Sequence, residues 1–249
     1  MKKVMLGLLL IVTIALPILA DEPESPELVP AVWLPLVQAP VVQPYITPTP
    51  TPAPEPPQEN MVYNGNFERG ARGWLQQDNV WEEVQIVHCG DSYPRAYEGA
   101  CWAWHGGRLG LLDILSQQYD HAWIMPAGYN AIRVSLWHRV SSYHPQDDPP
   151  YDYYGFYIED ANTGQIITDG SLLMLTNRDS DGMWHEFEIT VINMHWWAGH
   201  RLRAVSYSEN DVHNYPTSFH IDKIDVRAIN YYGARENINV IEAIKIEGQ

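Results

Sequence analysis

Trp137, Tyr151, Asp152, Tyr153, Tyr154, Tyr157, Arg203 and Tyr207 form the first group of residues whose types could do chemistry. Sugars are held by flat rings stacked on pyranose faces, with a few polar groups fixing the hydroxyls. Set along one sheet face, such a group would bind carbohydrate, with Trp137, Asp152, Tyr154, Arg203 and Tyr207 as the contacts. Packing is the competing assignment: with 10 Trp and 15 Tyr against 4 Phe, the same rings are needed to fill an interior. Paired acids raise a second chemistry, glycoside hydrolysis, in which two carboxyls stand roughly 5–9 Å apart across a cleft. Glu82 and Glu83 are neighbours in a strand-like run and point to opposite faces, so they do not make that pair. Asp147 and Asp148 fall in a loop-like stretch, HPQDDPPYD. The sequence holds no G-x-S-x-G, P-loop or G-x-G-x-x-G pattern. The expectation is a protein without catalytic residues.

Three further constellations bear on metals and cross-links. In TNRDSDGMWHEFE, Asn177, Asp179, Asp181, Gly182 and Glu188 match positions of a helix-flanked calcium loop. The flanks LLML and EFEITV alternate like strands, so a polar hairpin turn is the preferred reading. Ten histidines are present, but HEFEI lacks a second ligand at metal-binding spacing and HWWAGH separates its pair by five. Cys89 and Cys101 are the only cysteines. In an exported chain they are expected to form a disulfide, buried free thiols being the alternative.

These residues need elements to position them, and the pattern is that of strands. Ile132, Val134 and Leu136 alternate with Arg133, Ser135 and Trp137; Phe187, Ile189 and Val191 alternate with Glu186 and Glu188; Leu202 and Ala204 oppose Arg203, Val205 and Tyr207. Alternation over five to nine residues, broken by Gly, Asn and Asp, predicts half-buried antiparallel strands. Many short strands predict an all-β fold, an antiparallel β-sandwich or jelly roll, over residues 60–230. The tail, 231–249, reads as either a docked helix or a last strand.

The N-terminal quarter is of another kind. Residues 1–20 have Lys2 and Lys3, an apolar run and small Ala20, as a signal peptide does. The alternative is an uncleaved anchor, the one route by which this chain would meet a membrane. Residues 21–59 hold 12 of the 19 prolines, including TPTPTPAPEPP, and predict a disordered Pro/Thr-rich linker with an apolar patch at 31–42. The formal charge is -16, and loss of Lys2 and Lys3 with the signal takes it to -18. Only Lys223 and Lys245 would remain as lysines, which argues against binding nucleic acid or an anionic membrane surface.

Six motifs, in order, resemble the galactose-binding-like jelly-roll modules of secreted bacterial proteins: NGNFERGARGW (64–74), CWAWHGG (101–107), IRVSLWHRV (132–140), YDYYGFYIED (151–160), AGHRLRA (198–204) and PTSFHIDKIDV (216–226). The resemblance spans about 165 residues and implies a carbohydrate-binding module without catalysis. It further implies a structural Ca²⁺ held by Glu68 and Asp222. Lys223 departs from the pattern, which usually has a second acid there. The residues agree in part: the apolar parity of Phe219 and Ile221 does not continue to Ile224 and Val226, and such a break predicts a bulge that re-aims Asp222. Without calcium, Glu68 would cap a loop and Asp222 would pair with an arginine such as Arg203. The expected function is an exported, extracellular or cell-surface binding module for a polysaccharide or other cell-surface glycan. The alternative is a structural or adhesive envelope protein that binds protein partners and no sugar.

Overall fold

Alternation lays Ile132, Val134 and Leu136 against the interior and turns Arg133 to solvent, within an eleven-residue strand, β6 (Ala131–Ser141). The computed structural model describes residues 59–79, 85–91, 93–145, 148–212, 215–232 and 239–244. The chain divides into two units, Met1–Pro52 and Ala53–Gln249, and all described residues belong to the second. The signal and nearly all of the linker therefore lie outside the described residues, as do Glu82, Glu83 and Asp147.

Two sheets enclose the core. In the first, β1 (Trp74–Asp78), β4 (Leu112–Gln117), β10 (Arg201–Glu209), β7 (Tyr153–Asp160) and β8 (Leu173–Thr176) run in that order, and β5 (Trp123–Ile124) pairs with β10. In the second, the order is β12 (Val240–Glu242), β9 (His185–Ile192), β6, β11 (Ser218–Ile229), β3 (Cys101–Gly106) and β2 (Val87–Cys89). All pairings are antiparallel except β12 with β9. The fold is the expected all-β sandwich, and among the described residues helix is confined to single 3₁₀ turns. The tail takes the strand option, laying β12 on the free edge of β9.

Phe67, Trp74, Leu115, Leu136, Phe156 and Phe219 meet between the sheets, each with 3% or less of its surface exposed. Burial of each such side chain contributes about 1.5–3 kcal/mol. The core also carries polar groups. His105 of β3 and Ser206 of β10 share a hydrogen bond of 2.9 Å across the sandwich, and burial drives the His105 pKa down to about 3. A serine beside a neutral imidazole resembles part of a nucleophilic site. Here both residues are sealed from solvent, and His105 Nδ1 has no partner among the described residues.

The predicted parity break lies in β11. Asp222 pairs with Trp137 and Asp225 with Ser135, so β11 holds one residue more than β6 over this step. Lys223 takes the extra curvature with a left-handed φ of 53°. Cys89 and Cys101 are joined, as a cross-strand pair of β2 and β3 that closes a loop of sequence separation 12. A loop of this length implies about 3 kcal/mol of stabilisation in the chain-entropy account. Replacing both cysteines by Ser is expected to lower the melting temperature by about 6–12 °C, given the domain's size. A thermal melt of the double variant within 2 °C of the wild type would contradict this.

Candidate functional site

Strand parity sorts the predicted ligand residues. In β7, Tyr154, Phe156 and Ile158 face the interior, while Tyr153, Gly155, Tyr157 and Glu159 lie on the outer side of the first sheet. In β10, Leu202 and Ala204 face inward, and Arg203, Val205 and Tyr207 share the outer side. Register sets Arg203 opposite Glu159, Val205 opposite Tyr157 and Tyr207 opposite Gly155.

At the centre of this face the Tyr207 ring lies over the Gly155 backbone, so closely that any Cβ at position 155 would overlap it. A glycine inside a strand marks such a close approach. Tyr207 is half-buried on this face. Tyr157 stands beside it, ring centroids 6.1 Å apart and planes at 56°. Val205 is 2% exposed although it points outward, because these rings flank it. Next along the face, Arg203 donates from Nε to Glu159 Oε1 at 2.8 Å and approaches the same oxygen through Nη2 at 2.6 Å. Burial, the Glu159 charge and Tyr207 raise the Tyr157 pKa, which keeps its phenol protonated and able to donate. The face therefore combines flat rings with a guanidinium, a carboxylate and phenol hydroxyls.

Of the five predicted contacts, Arg203 and Tyr207 meet here. The other three do not, and each for a clear reason. Tyr154 is fully buried, stacked on Phe219 at 5.7 Å and set edge-on to His105 at 5.4 Å, because its parity is that of Phe156. Asp152 is also buried; its Oδ1 accepts from the Asp211 amide at 2.9 Å and its Oδ2 stands 3.6 Å from His144 Nε2. Trp137 lies on the outer side of the second sheet, across the sandwich, stacked against Tyr97 at 3.6 Å. A single ring-lined face made of all five is thus corrected to one face built from two of them with Tyr153, Tyr157 and Glu159. Glu159, which shares this face, was not among the predicted contacts, although its parity with Tyr157 was visible in the sequence.

Glu68 and Asp222 converge on one loop. Glu68 Oε1 accepts from the amides of Ala100 and Cys101, both at 2.9 Å. Asp222 Oδ2 accepts from the Glu98 amide at 3.0 Å and Oδ1 from its neighbour Lys223 at 2.7 Å. Gly99, between those amides, has φ +73°, and a Cβ there would overlap the Glu68 carboxylate. Burial, with the nearby Glu68 charge adding to it, pushes the Asp222 pKa up to about 6 against the pull of its amide donors. Lys223 turns away to Glu98, Nζ to Oε2 2.5 Å, and Arg203 belongs to Glu159, so neither acid has an ion-pair partner among the described residues. Two acids without a cation suit Ca²⁺ in charge. No cluster of three or more His, Cys, Asp or Glu that could hold a metal exists among the described residues, so carbonyls and water would have to complete the shell.

The 177–188 segment behaves as the polar turn. Asn177 Oδ1 accepts from the Tyr151 amide, Asp179 Oδ2 from the Thr176 amide, and Asp181 Oδ1 from the Met183 amide. Each oxygen thus serves its own backbone donor.

No protein-family model matches the chain, and no curated protein does. Solved structures similar to it include carbohydrate-binding modules. The module TmCBM61, in complex with beta-1,4-galactotriose, is 15% identical, with 69% of this chain and 99% of that one covered and a TM-score of 0.46. The CBM22-1 xylan-binding domain of Paenibacillus barcinonensis Xyn10C is 14% identical, with 70% and 94% covered and a TM-score of 0.36. The K3 cleaved adhesin domain of Lys-gingipain from Porphyromonas gingivalis is 14% identical, with 66% and 96% covered and a TM-score of 0.42. Likeness at this level places no ligand on the present chain.

Proposed function

We propose that the domain binds carbohydrate non-covalently on the outer side of the first sheet, as the folded part of an exported, linker-tethered protein without catalytic activity. The observation that carries this reading is the Tyr207 ring laid over Gly155, with Tyr157 beside it and the Arg203–Glu159 pair next along the sheet. A pyranose stacked on Tyr207 would find donors and acceptors for its hydroxyls in Arg203, Glu159 and Tyr157. Glu159 is neutralised by Arg203 and so suits hydroxyl recognition better than proton transfer. The test is a glycan array with pull-downs on plant, algal and bacterial polysaccharides. Hits that weaken in Tyr207→Ala support the proposal. A blank array shifts the reading to an adhesive protein that binds protein partners.

Calcium belongs to the same proposal as a structural ion, with Glu68 and Asp222 its side-chain ligands. Its contribution would be to neutralise a buried acid and brace the 97–101 loop. EDTA is expected to lower the melting temperature and added Ca²⁺ to restore it. Saturation at a hundredfold over Kd corresponds to about 2.7 kcal/mol. The response should vanish in Asp222→Asn, and a wild type indifferent to EDTA would remove the ion from the account.

A further inference from the structure

The disulfide loop that follows β2 folds over the outer side of the second sheet and forms a pocket there of about 500 Å³, lined by Asp91, Tyr93, Arg95, Ala96, Arg139 and Trp184. That volume falls within the usual range of small-ligand sites, about 300–1,000 Å³. It lies across the sandwich from Tyr207. Aromatic contacts fix its wall: Trp137 stacks on Tyr97, which meets Trp184 edge-on at 6.1 Å. Trp137 is thus a support for the wall.

The pocket brings two guanidinium groups together on a chain that is acidic overall. The chain carries 31 acids against 15 Lys and Arg, and Arg203, Lys223 and Arg227 each pair with a carboxylate. Arg95 and Arg139 share one pocket, and neither pairs with a carboxylate among the described residues. The Arg139 guanidinium lies over the Tyr93 ring, 4.8 Å from its centroid, and donates to the Tyr93 hydroxyl. Its Nε is buried with no acceptor among the described residues. A buried donor left unmet is costly, which favours an anion beside this guanidinium.

We propose that this pocket binds the carboxylate of an acidic sugar, a uronate. Guanidinium groups suit carboxylates in geometry and charge, Trp184 offers a face to the pyranose, and Asp91 accepts from a sugar hydroxyl. The strongly negative chain repels dense polyanions, so a single or terminal uronate fits better than a polyuronate. This site is separate from the outer face of the first sheet, and the two succeed or fail independently.

The experiment is calorimetric titration of the full chain with galacturonate and glucuronate, alongside galactose, glucose, acetate and sulfate. A uronate should bind at least tenfold more tightly than its neutral hexose and than either simple anion, and more weakly as salt rises. Arg139→Gln and Arg95→Gln should each weaken it at least tenfold; Arg95 is exposed, so its variant guards against a loss of folding. Tyr207→Ala should leave uronate binding unchanged. Equal binding of uronate and hexose, or of uronate and acetate, would overturn the proposal. So would wild-type affinity in both arginine variants, or no uronate binding at all.

Discussion

Replacing Tyr154 with Ala should destabilise the domain by about 3–5 kcal/mol, the range for removing a large buried aromatic. Tyr207→Ala should cost about 1 kcal/mol or less, because its ring rests on the outside of the sheet. The two tyrosines lie on neighbouring strands, with Tyr154 opposite Ser208 and Tyr207 opposite Gly155, yet parity gives them opposite work. Tyr154 packs between Phe219 and His105 with none of its surface exposed, so its loss leaves a cavity between the sheets. Urea unfolding of both variants checks the contrast. Equal midpoints for Tyr154→Ala and the wild type would mean that the ring is not in the core.

Acid should destabilise the protein by several kcal/mol between pH 7 and pH 4. Burial lowers the pKa of His105 and of His220 to about 3, with the Arg139 charge and neighbouring His88 and His105 adding to burial for His220. Unfolded histidine takes a proton near 6.5 that these folded imidazoles refuse until about 3. Their contribution is complete above 6.5 and is lost progressively as pH falls towards 3. Asp113 acts in the opposite sense. Burial raises it to about 6, so the folded state gains a proton there between about 6 and 3.8, and its contribution is lost as pH rises through 6. The imidazoles move further than this carboxyl, and His88 and His138 are also lowered by burial, so loss of stability in acid wins. Urea midpoints at pH 7.5 and 4.5 decide it, and His105→Gln should flatten the dependence. A midpoint that rises on acidification would show that the carboxyl dominates.

Much of the architecture was legible because a half-buried strand writes its two faces into alternate residues. Ile132, Val134 and Leu136 read directly as interior, and the break at Asp222–Ile224 read as the bulge that Lys223 completes. The same rule separates Tyr154 from Tyr157, and grouping all the tyrosines of YDYYGFYIED on one face ignored it. Trp137 was misplaced for a different reason. Period two tells which residues share a side of a strand but not which sheet the strand joins, and β6 and β10 belong to different sheets. The pocket around Arg139 was the least legible feature. It depends on the 89–101 loop folding back over the sheet, a long-range packing that leaves no periodic trace.

The most direct test of carbohydrate binding on the first sheet is a calorimetric titration of the wild type, Tyr207→Ala and Trp137→Ala with a polysaccharide that the array identifies. Removing one stacking ring should cost about 1–1.5 kcal/mol of affinity, close to tenfold. The account predicts that Tyr207→Ala weakens binding by at least that factor with a melting temperature lowered by no more than about 4 °C, while Trp137→Ala binds as the wild type does. Wild-type affinity in Tyr207→Ala, with the loss falling on Trp137→Ala, would place the sugar on the other sheet and contradict it.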